Sequence, residues 1–122
     1  MQFLDFDYSE DELGYASWDA MASVTQERLP ELCAEISALL HWALEDYPGP
    51  QGAPEDGGDW DYELTAHADD DQHSACDLHY DPATQTLVWD RPAPPQAQRL
   101  TLTLTLSGNA QFAQLLQERW QI

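Results

Sequence analysis

Carboxylates and imidazoles are concentrated in the middle of this 122-residue sequence, between residues 59 and 81. Both groups bind zinc and related ions, and carboxylates also act as general acids or bases or contact basic protein surfaces. The carboxylates predicted to bind a partner are Asp59, Asp61, Glu63, Asp69, Asp70, Asp71 and Asp77. The imidazoles among them are His67, His73 and His79. Which chemistry they support depends on the strands that carry them.

An alternation of apolar and polar residues predicts two strands joined by an acidic loop. The apolar side carries Trp60, Tyr62, Leu64 and Ala66 on the first strand and Cys76, Leu78 and Tyr80 on the second. A hairpin that pairs His67 with His73 keeps these residues on one face and places Glu63 opposite Asp77. Like charges directly opposite each other destabilise a sheet. The pattern therefore predicts an acidic face that water screens, or that a cation or a basic partner neutralises.

The histidines support a second interpretation, a divalent-cation site on the hairpin 67–79. His67, His73 and His79, together with the loop aspartates, are ligand types that zinc accepts. The sequence contains no H-E-x-x-H, no C-x-x-C and no calcium loop of the usual spacing. We therefore expect no cofactor, with a divalent cation at this hairpin as the alternative.

A third interpretation is a small enzyme that uses an Asp/Glu acid–base pair such as Glu63 and Asp77. That chemistry needs one carboxyl group with a raised pKa in a dry pocket. The sequence has no G-x-S-x-G and no glycine-rich phosphate loop. Cys33 lies on the apolar stripe of a predicted helix, and we expect it and Cys76 to be core thiols without a disulfide. The sequence favours a protein that is not an enzyme.

The net charge narrows the classes of partner. The chain carries 23 Asp and Glu against four Lys and Arg, which gives a formal net charge of −19. Such a surface repels nucleic acid and anionic membranes, because both bind through Lys and Arg. A positively charged protein is the expected partner, in the manner of an immunity protein, an inhibitor or a nucleic-acid mimic. The alternative is that the acidity serves solubility alone.

The elements predict one α+β domain over residues 1–122, with the order β-β-α-β-β-β-β-α. We expect a two-layer sandwich, an antiparallel sheet with two helices on one face. The predicted strands at the N-terminus cover residues 2–8 and 15–22, and the first helix follows with Ser23 or Thr25 as its cap. Residues 48–58 are expected to be a mobile Pro/Gly-rich loop and residues 91–98 an extended Pro-rich connector.

Two further expectations concern the N-terminal region and the cellular setting. Asp5, Asp7, Glu10, Asp11 and Glu12 form a second acidic cluster, which we interpret as a solvated strand edge and turn. The first residues lack the features of a signal peptide, so we expect a cytoplasmic protein. The absence of Lys and the scarcity of Asn and Ile favour a GC-rich bacterial source.

Overall fold

The structure, a computed structural model, describes residues 2–69 and 74–122. Its elements are β1 (Asp7–Glu10), β2 (Ala16–Thr25), α1 (Leu29–His41), β3 (Trp60–Ala68), β4 (Ala75–Asp81), β5 (Thr86–Arg91), β6 (Arg99–Gly108) and α2 (Ala110–Trp120). This confirms the predicted α+β class and element order, with two helices packed against an antiparallel sheet. Neither helix in these ranges has the length and apolar character that crossing a bilayer requires.

The six strands are ordered β1-β2-β6-β3-β4-β5, and every neighbouring pair is antiparallel. The last strand along the chain, β6, lies between β2 and β3 and pairs with both over most of its length. Its leucines are fully buried on one face, as expected for successive side chains that alternate across a sheet. The Leu-Thr alternation from residue 100 to 106 therefore belongs to a central strand.

One phenylalanine joins the two layers. The ring of Phe112 on α2 lies 5.9 Å from Trp18 on β2 and 5.5 Å from Trp60 on β3, measured between centroids. Its ring is also 5.9 Å from Trp42 and 5.1 Å from Tyr47, both at the end of the first helix. These contacts place both helices over the apolar face of the sheet. Neither helix packs against the opposite face of the sheet.

The end of the first helix explains where Trp42 lies. The α-helix ends at His41 and continues as a single π-helical turn over Trp42–Asp46. A π-turn widens the helix and shifts the direction of the side chains that follow. Trp42 is buried, although the regular helical pattern places it beside the main apolar stripe. Trp18 is buried as well, so both tryptophans, whose burial the sequence left open, belong to the core.

The predicted N-terminal strand is only partly correct. The structure starts β1 at Asp7, because residues before it bind the first helix instead of a neighbouring strand. The carboxylate of Glu35 accepts hydrogen bonds from the backbone N–H groups of Gln2, Phe3 and Leu4. The second strand extends to Thr25, three residues beyond the predicted end. An alternating pattern marks an extended chain but does not show whether that chain pairs.

The two helices differ in how their first turns are capped. Asn109 caps α2, since its side chain accepts a hydrogen bond from the backbone N–H of Phe112 at 2.9 Å. For α1, the prediction of Ser23 or Thr25 as the cap is wrong. Arg28 occupies that position and makes no side-chain capping bond. Ser23 and Thr25 lie on β2 instead.

The loop at residues 48–58 contains local structure. It includes a 3-10 turn at Pro54–Asp56, and the N–H of Gly58 donates to the carbonyl of Ala53 at 2.9 Å. The N–H of Asp59 donates to the carbonyl of Pro50 at 2.8 Å. The mobility of this loop stays a prediction. In the connector at residues 91–98, Arg91 ends β5 and Ala97 is buried.

Candidate functional site

The uncovered face of the sheet is built from the outward residues of its strands. On the central strand β6 these are hydroxyl residues: Thr101, Thr103, Thr105 and Ser107. Their cross-strand partners on β2 include Asp19 and Met21, and those on β3 include Asp61 and Glu63. A row of hydroxyl groups therefore lies between two strands that carry carboxylates. We call this surface the open face.

The predicted carboxylates Asp61, Glu63 and Asp77 lie together on the open face, while Trp60 and Leu78 are buried beneath the helices. The predicted register of the hairpin is wrong. The ladder joins His67 to Ala75, and Ala66 to Cys76, which is two residues from the predicted pairing. A shift of two residues keeps every side chain on its predicted face. On its other side β3 pairs Glu63 with Thr105.

Ion pairs neutralise part of the hairpin. The guanidinium of Arg91 on β5 donates to the Asp77 carboxylate at 2.7 and 3.0 Å. His79 and Asp90 approach to 2.7 Å on the same two strands. An irregularity in the β4–β5 ladder beside Asp77 brings these partners together. Both pairs are about half exposed, so each contributes at most about 1 kcal/mol to stability, and the Arg91 guanidinium also offsets the charge of Asp77.

Asp69, another residue predicted to bind a partner, connects three strands. Its carboxylate accepts hydrogen bonds from Ser23 on β2 at 2.8 Å and from the buried Thr101 on β6 at 2.9 Å. His67 lies 3.5 Å away on β3. The hydrogen bond from Ser23 lowers the pKa of Asp69 most, with further contributions from Thr101, His67 and Arg99 against the opposing effect of burial. Asp69 thus stabilises the sheet from its open face.

Replacing Asp69→Asn is expected to lower the free energy of unfolding by about 1 kcal/mol at pH 7, because hydrogen bonds to the charged carboxylate are weakened. The pKa of Asp69 is lower in the folded protein than its ordinary value of 3.8. The stabilisation is therefore present above that value and is lost as the pH falls through the folded pKa. Urea unfolding of both proteins at pH 7 and at about pH 2.5 measures this. A difference that persists unchanged at low pH contradicts the prediction.

Asp59 also has a structural partner. Its carboxylate accepts a hydrogen bond from the Tyr47 hydroxyl at 2.9 Å, and its backbone carbonyl accepts one from the N–H of Asn109 at 2.8 Å. Asp59 is partly buried at the start of β3. It joins the 48–58 loop to the ends of both helices. Its predicted role in binding a partner stays a prediction.

The predicted cation site falls partly outside the structure. His73, Asp70 and Asp71 lie outside the described residues. His67 and His79 lie on β3 and β4, with Asp69 and Asp90 as their respective neighbours. Within residues 2–69 and 74–122, no three His, Cys, Asp or Glu side chains are grouped closely enough to hold a metal ion. The cation hypothesis gains no supporting observation.

A cavity of about 530 Å³ lies between α1 and the start of β5. Cys33, Ser37 and His41 line it together with small apolar side chains. Burial raises the pKa of the Cys33 thiol to about 11, so the thiol is protonated at neutral pH and is a poor nucleophile. Cys33 has a free thiol, as predicted. This cavity contains no acid–base pair of the kind that the enzyme hypothesis requires.

The N-terminal acids were predicted only to form a solvated strand edge and turn, but they also line a cavity. The antiparallel ladder between β1 and β2 places Asp7 directly opposite Asp19. With Asp5, these carboxylates line a cavity of about 360 Å³ on the open face, which also includes Met21 and Thr103. We call it the acidic cavity. The alternating pattern of residues 16–22 contained a signal for Asp19, but its partner depended on an unknown register.

The arginines of the chain contact other groups. Within the described part of the sequence, their contacts include Arg28 with Glu31 and with the ring of Phe3, Arg91 with Asp77, Arg99 with Ser23, and Arg119 with the ring of Trp120. None of these contacts involves Asp5, Asp7 or Asp19. The Thr105 hydroxyl donates a hydrogen bond to Asp19 at 2.7 Å, which is a neutral partner. Among the described residues, no arginine contact therefore balances the carboxylates of the acidic cavity, whereas the hairpin carboxylate Asp77 is paired with Arg91.

A second cavity lies beside β1, on the helix side of this edge strand. It has a volume of about 350 Å³ and is lined by Phe6, Tyr8, Trp18 and Ile122 against one side of α2. We call it the aromatic cavity. The ring of Tyr8 is 5.6 Å from that of Trp18, and Tyr8 is 57% exposed. An aromatic side chain with this exposure is typical of protein-binding surfaces.

We compared the chain with protein-family models, curated proteins and solved structures, and none of them matches it. A function for this chain is therefore inferred from the residues and geometry of its surface.

Proposed function

We propose that this chain is a non-catalytic binding module that uses its open face to engage a positively charged protein in the bacterial cytoplasm. The observation that carries the proposal is the collection of carboxylates on one uncovered side of the sheet. Asp61 and Glu63 lie on one side of the hydroxyl row of β6, and Asp7 and Asp19 lie on the other. The helices occupy the opposite face, so a partner has access to this one.

The chemistry of the open face suits Lys and Arg side chains. Carboxylates accept paired hydrogen bonds from a guanidinium group, and threonine hydroxyls accept further bonds from the same donors. The net charge of −19 accelerates association with a basic protein and repels nucleic acid. Both an inhibitor of a basic toxin or nuclease and a mimic of nucleic acid use a surface of this kind.

The test compares two double variants with the same change in net charge, from −19 to −17. Asp61→Asn with Glu63→Gln alters the open face, whereas Glu55→Gln with Asp56→Asn alters exposed acids on the 48–58 loop. A partner is first captured on the immobilised wild-type protein from a bacterial lysate at low salt and then purified. Biolayer interferometry then measures the Kd of each variant at rising NaCl concentration.

We expect the open-face variant to bind the purified partner about five- to tenfold more weakly, and the loop variant to bind like the wild type. The wild-type affinity is expected to fall as salt rises, because ions screen charges that are exposed to solvent. A captured partner without a basic surface, or an affinity that is insensitive to salt, would overturn the proposal. Equal losses in the two variants would show that total charge matters and the open face does not.

A further inference from the structure

We infer that the edge strand β1 is a docking site for an extended, positively charged segment of the partner, which adds to the sheet as a seventh strand. This inference rests on the proposed function and specifies where and how the partner binds. Extended segments commonly bind by pairing with the edge of a sheet, where backbone hydrogen bonds supply affinity and alternate side chains supply specificity.

The position of β1 meets the first requirement for such pairing. It is the outermost strand on its side of the sheet, and it pairs only with β2 among the described strands. The outer side of its backbone therefore has hydrogen-bonding groups available to another strand. β1 is short, from Asp7 to Glu10, so the docked core of a partner segment is expected to be about four residues long.

The two cavities meet the second requirement, since they lie on opposite sides of β1. Tyr8 pairs with Trp18 and points to the helix side, where the aromatic cavity lies. Asp7 pairs with Asp19 and points to the open face, where the acidic cavity lies. Successive side chains of an added strand also alternate between the two sides. A segment with alternating basic and apolar residues would place each kind beside the matching cavity.

The negative charge beside β1 indicates a basic segment as the occupant. Asp7 and Asp19 are directly opposite each other, which destabilises the sheet, and Asp5 shares their cavity. The arginines in the described part of the chain contact other groups, so an incoming Lys or Arg would supply the missing positive charge. A second copy of this chain is a poor occupant, because pairing β1 with itself would bring Asp7 and Glu10 towards further carboxylates.

The other edge of the sheet differs in this respect. On β5, Arg91 pairs with Asp77 and Asp90 pairs with His79. The Arg91 guanidinium therefore offsets a carboxylate at that edge within the protein itself. The electrostatic attraction for a basic segment is therefore greater at β1.

The test uses a defined probe, a fluorescein-labelled peptide in which Arg alternates with Leu or Val. One control peptide has the same composition with its arginines in a single block, and another carries N-methyl groups on alternate backbone amides. Fluorescence anisotropy measures the Kd of each peptide for the full chain at low salt. Two-dimensional NMR then identifies the backbone amides whose signals shift on binding.

The matched variants again share a net charge of −17. Asp7→Asn with Asp19→Asn neutralises the acidic cavity, and Glu55→Gln with Asp56→Asn neutralises the same number of exposed acids on the 48–58 loop. Asparagine keeps an acceptor for Thr105, so the first variant is expected to fold. A third variant, Tyr8→Ala, removes an exposed wall of the aromatic cavity.

We expect the acidic-cavity variant to lose at least about tenfold in affinity for the alternating peptide, and Tyr8→Ala to lose about fivefold. The affinity of the loop variant should change less than about twofold, and amide shifts should cluster at residues 5–10 and 16–20. Weaker binding by both control peptides is also expected, because one loses the alternation and the other loses backbone donors.

Equal binding of the alternating and blocked peptides would overturn the docking of a strand at β1. The same conclusion follows if both charge variants lose affinity equally, or if the shifted amides lie on β5. Sedimentation showing a dimer that Tyr8→Ala disrupts would identify a second copy as the occupant and overturn the inference. Each of these results leaves the proposed function standing, since that proposal has its own tests: it fails if the captured partner is not basic, binds independently of salt, or is weakened equally by the open-face and loop variants.

Discussion

Phe112→Ala is expected to lower the free energy of unfolding by about 3–5 kcal/mol, which is a large part of the stability of a domain of this size. The Phe112 side chain is fully buried, and its ring contacts aromatic rings from the sheet and from the first helix. Removing the ring leaves a cavity between the layers that rigid neighbouring rings cannot fill. Urea unfolding followed by tryptophan fluorescence measures the change directly, because Trp18, Trp42 and Trp60 surround the site.

The control for this prediction is Gln111→Ala on the same helix. Gln111 is exposed, so its replacement is expected to change stability by less than about 0.5 kcal/mol. A loss below about 1.5 kcal/mol for Phe112→Ala would mean that this residue does not join the two layers. Because α2 forms one wall of the aromatic cavity, Phe112→Ala should also bind the alternating peptide more weakly than the wild type does.

Gly108→Ala is expected to destabilise the protein by about 1–3 kcal/mol, although alanine normally suits a strand better than glycine. Gly108 ends the central strand β6, between Ala16 and Trp60 on its two neighbours. A Cβ atom at this position would overlap the ring of Phe112, with Cγ only 2.8 Å away. The ring is held by its aromatic neighbours and has little room to move. Chemical unfolding of the single variant measures the cost.

A double-variant cycle shows whether the overlap is the cause. In a Phe112→Ala background both the Cγ atom and the ring are absent, so Gly108→Ala should cost at least about 1 kcal/mol less than in the wild type. Additive effects would contradict this explanation and would point to the backbone of residue 108 instead. The smaller alanine at position 112 itself destabilises the core, so the comparison depends on the interaction energy and not on either single value.

The faces of the central hairpin were predictable from the sequence, whereas its neighbours were not. Alternation correctly placed Trp60 and Leu78 in the core and Asp61 and Glu63 on the open face. The predicted pairing of His67 with His73 was two residues from the observed register, because two registers of the same parity bury the same residues. Apolar patterning therefore cannot distinguish between them.

The candidate site was predicted less completely than the fold. The sequence indicates many carboxylates on the open face, but it does not show that Arg91 contacts Asp77 or that Asp69 joins three strands. Nor does it show that Asp7 lies opposite Asp19, since these residues belong to separate strands joined by a turn. Charge pairing depends on distances between side chains that are remote in sequence.

The amino-acid sequence by itself determined the type and order of the elements, the inward and outward side of each strand, and the excess of negative charge. These properties are local or additive, since a strand exposes alternate residues whatever its neighbours are. The tertiary structure decided that β6 lies in the centre and that β1 and β5 form the edges. It also decided which acids have an arginine partner. Those outcomes follow from packing two helices over one face of the sheet, which sets the order of the strands and so the partner of every exposed carboxylate.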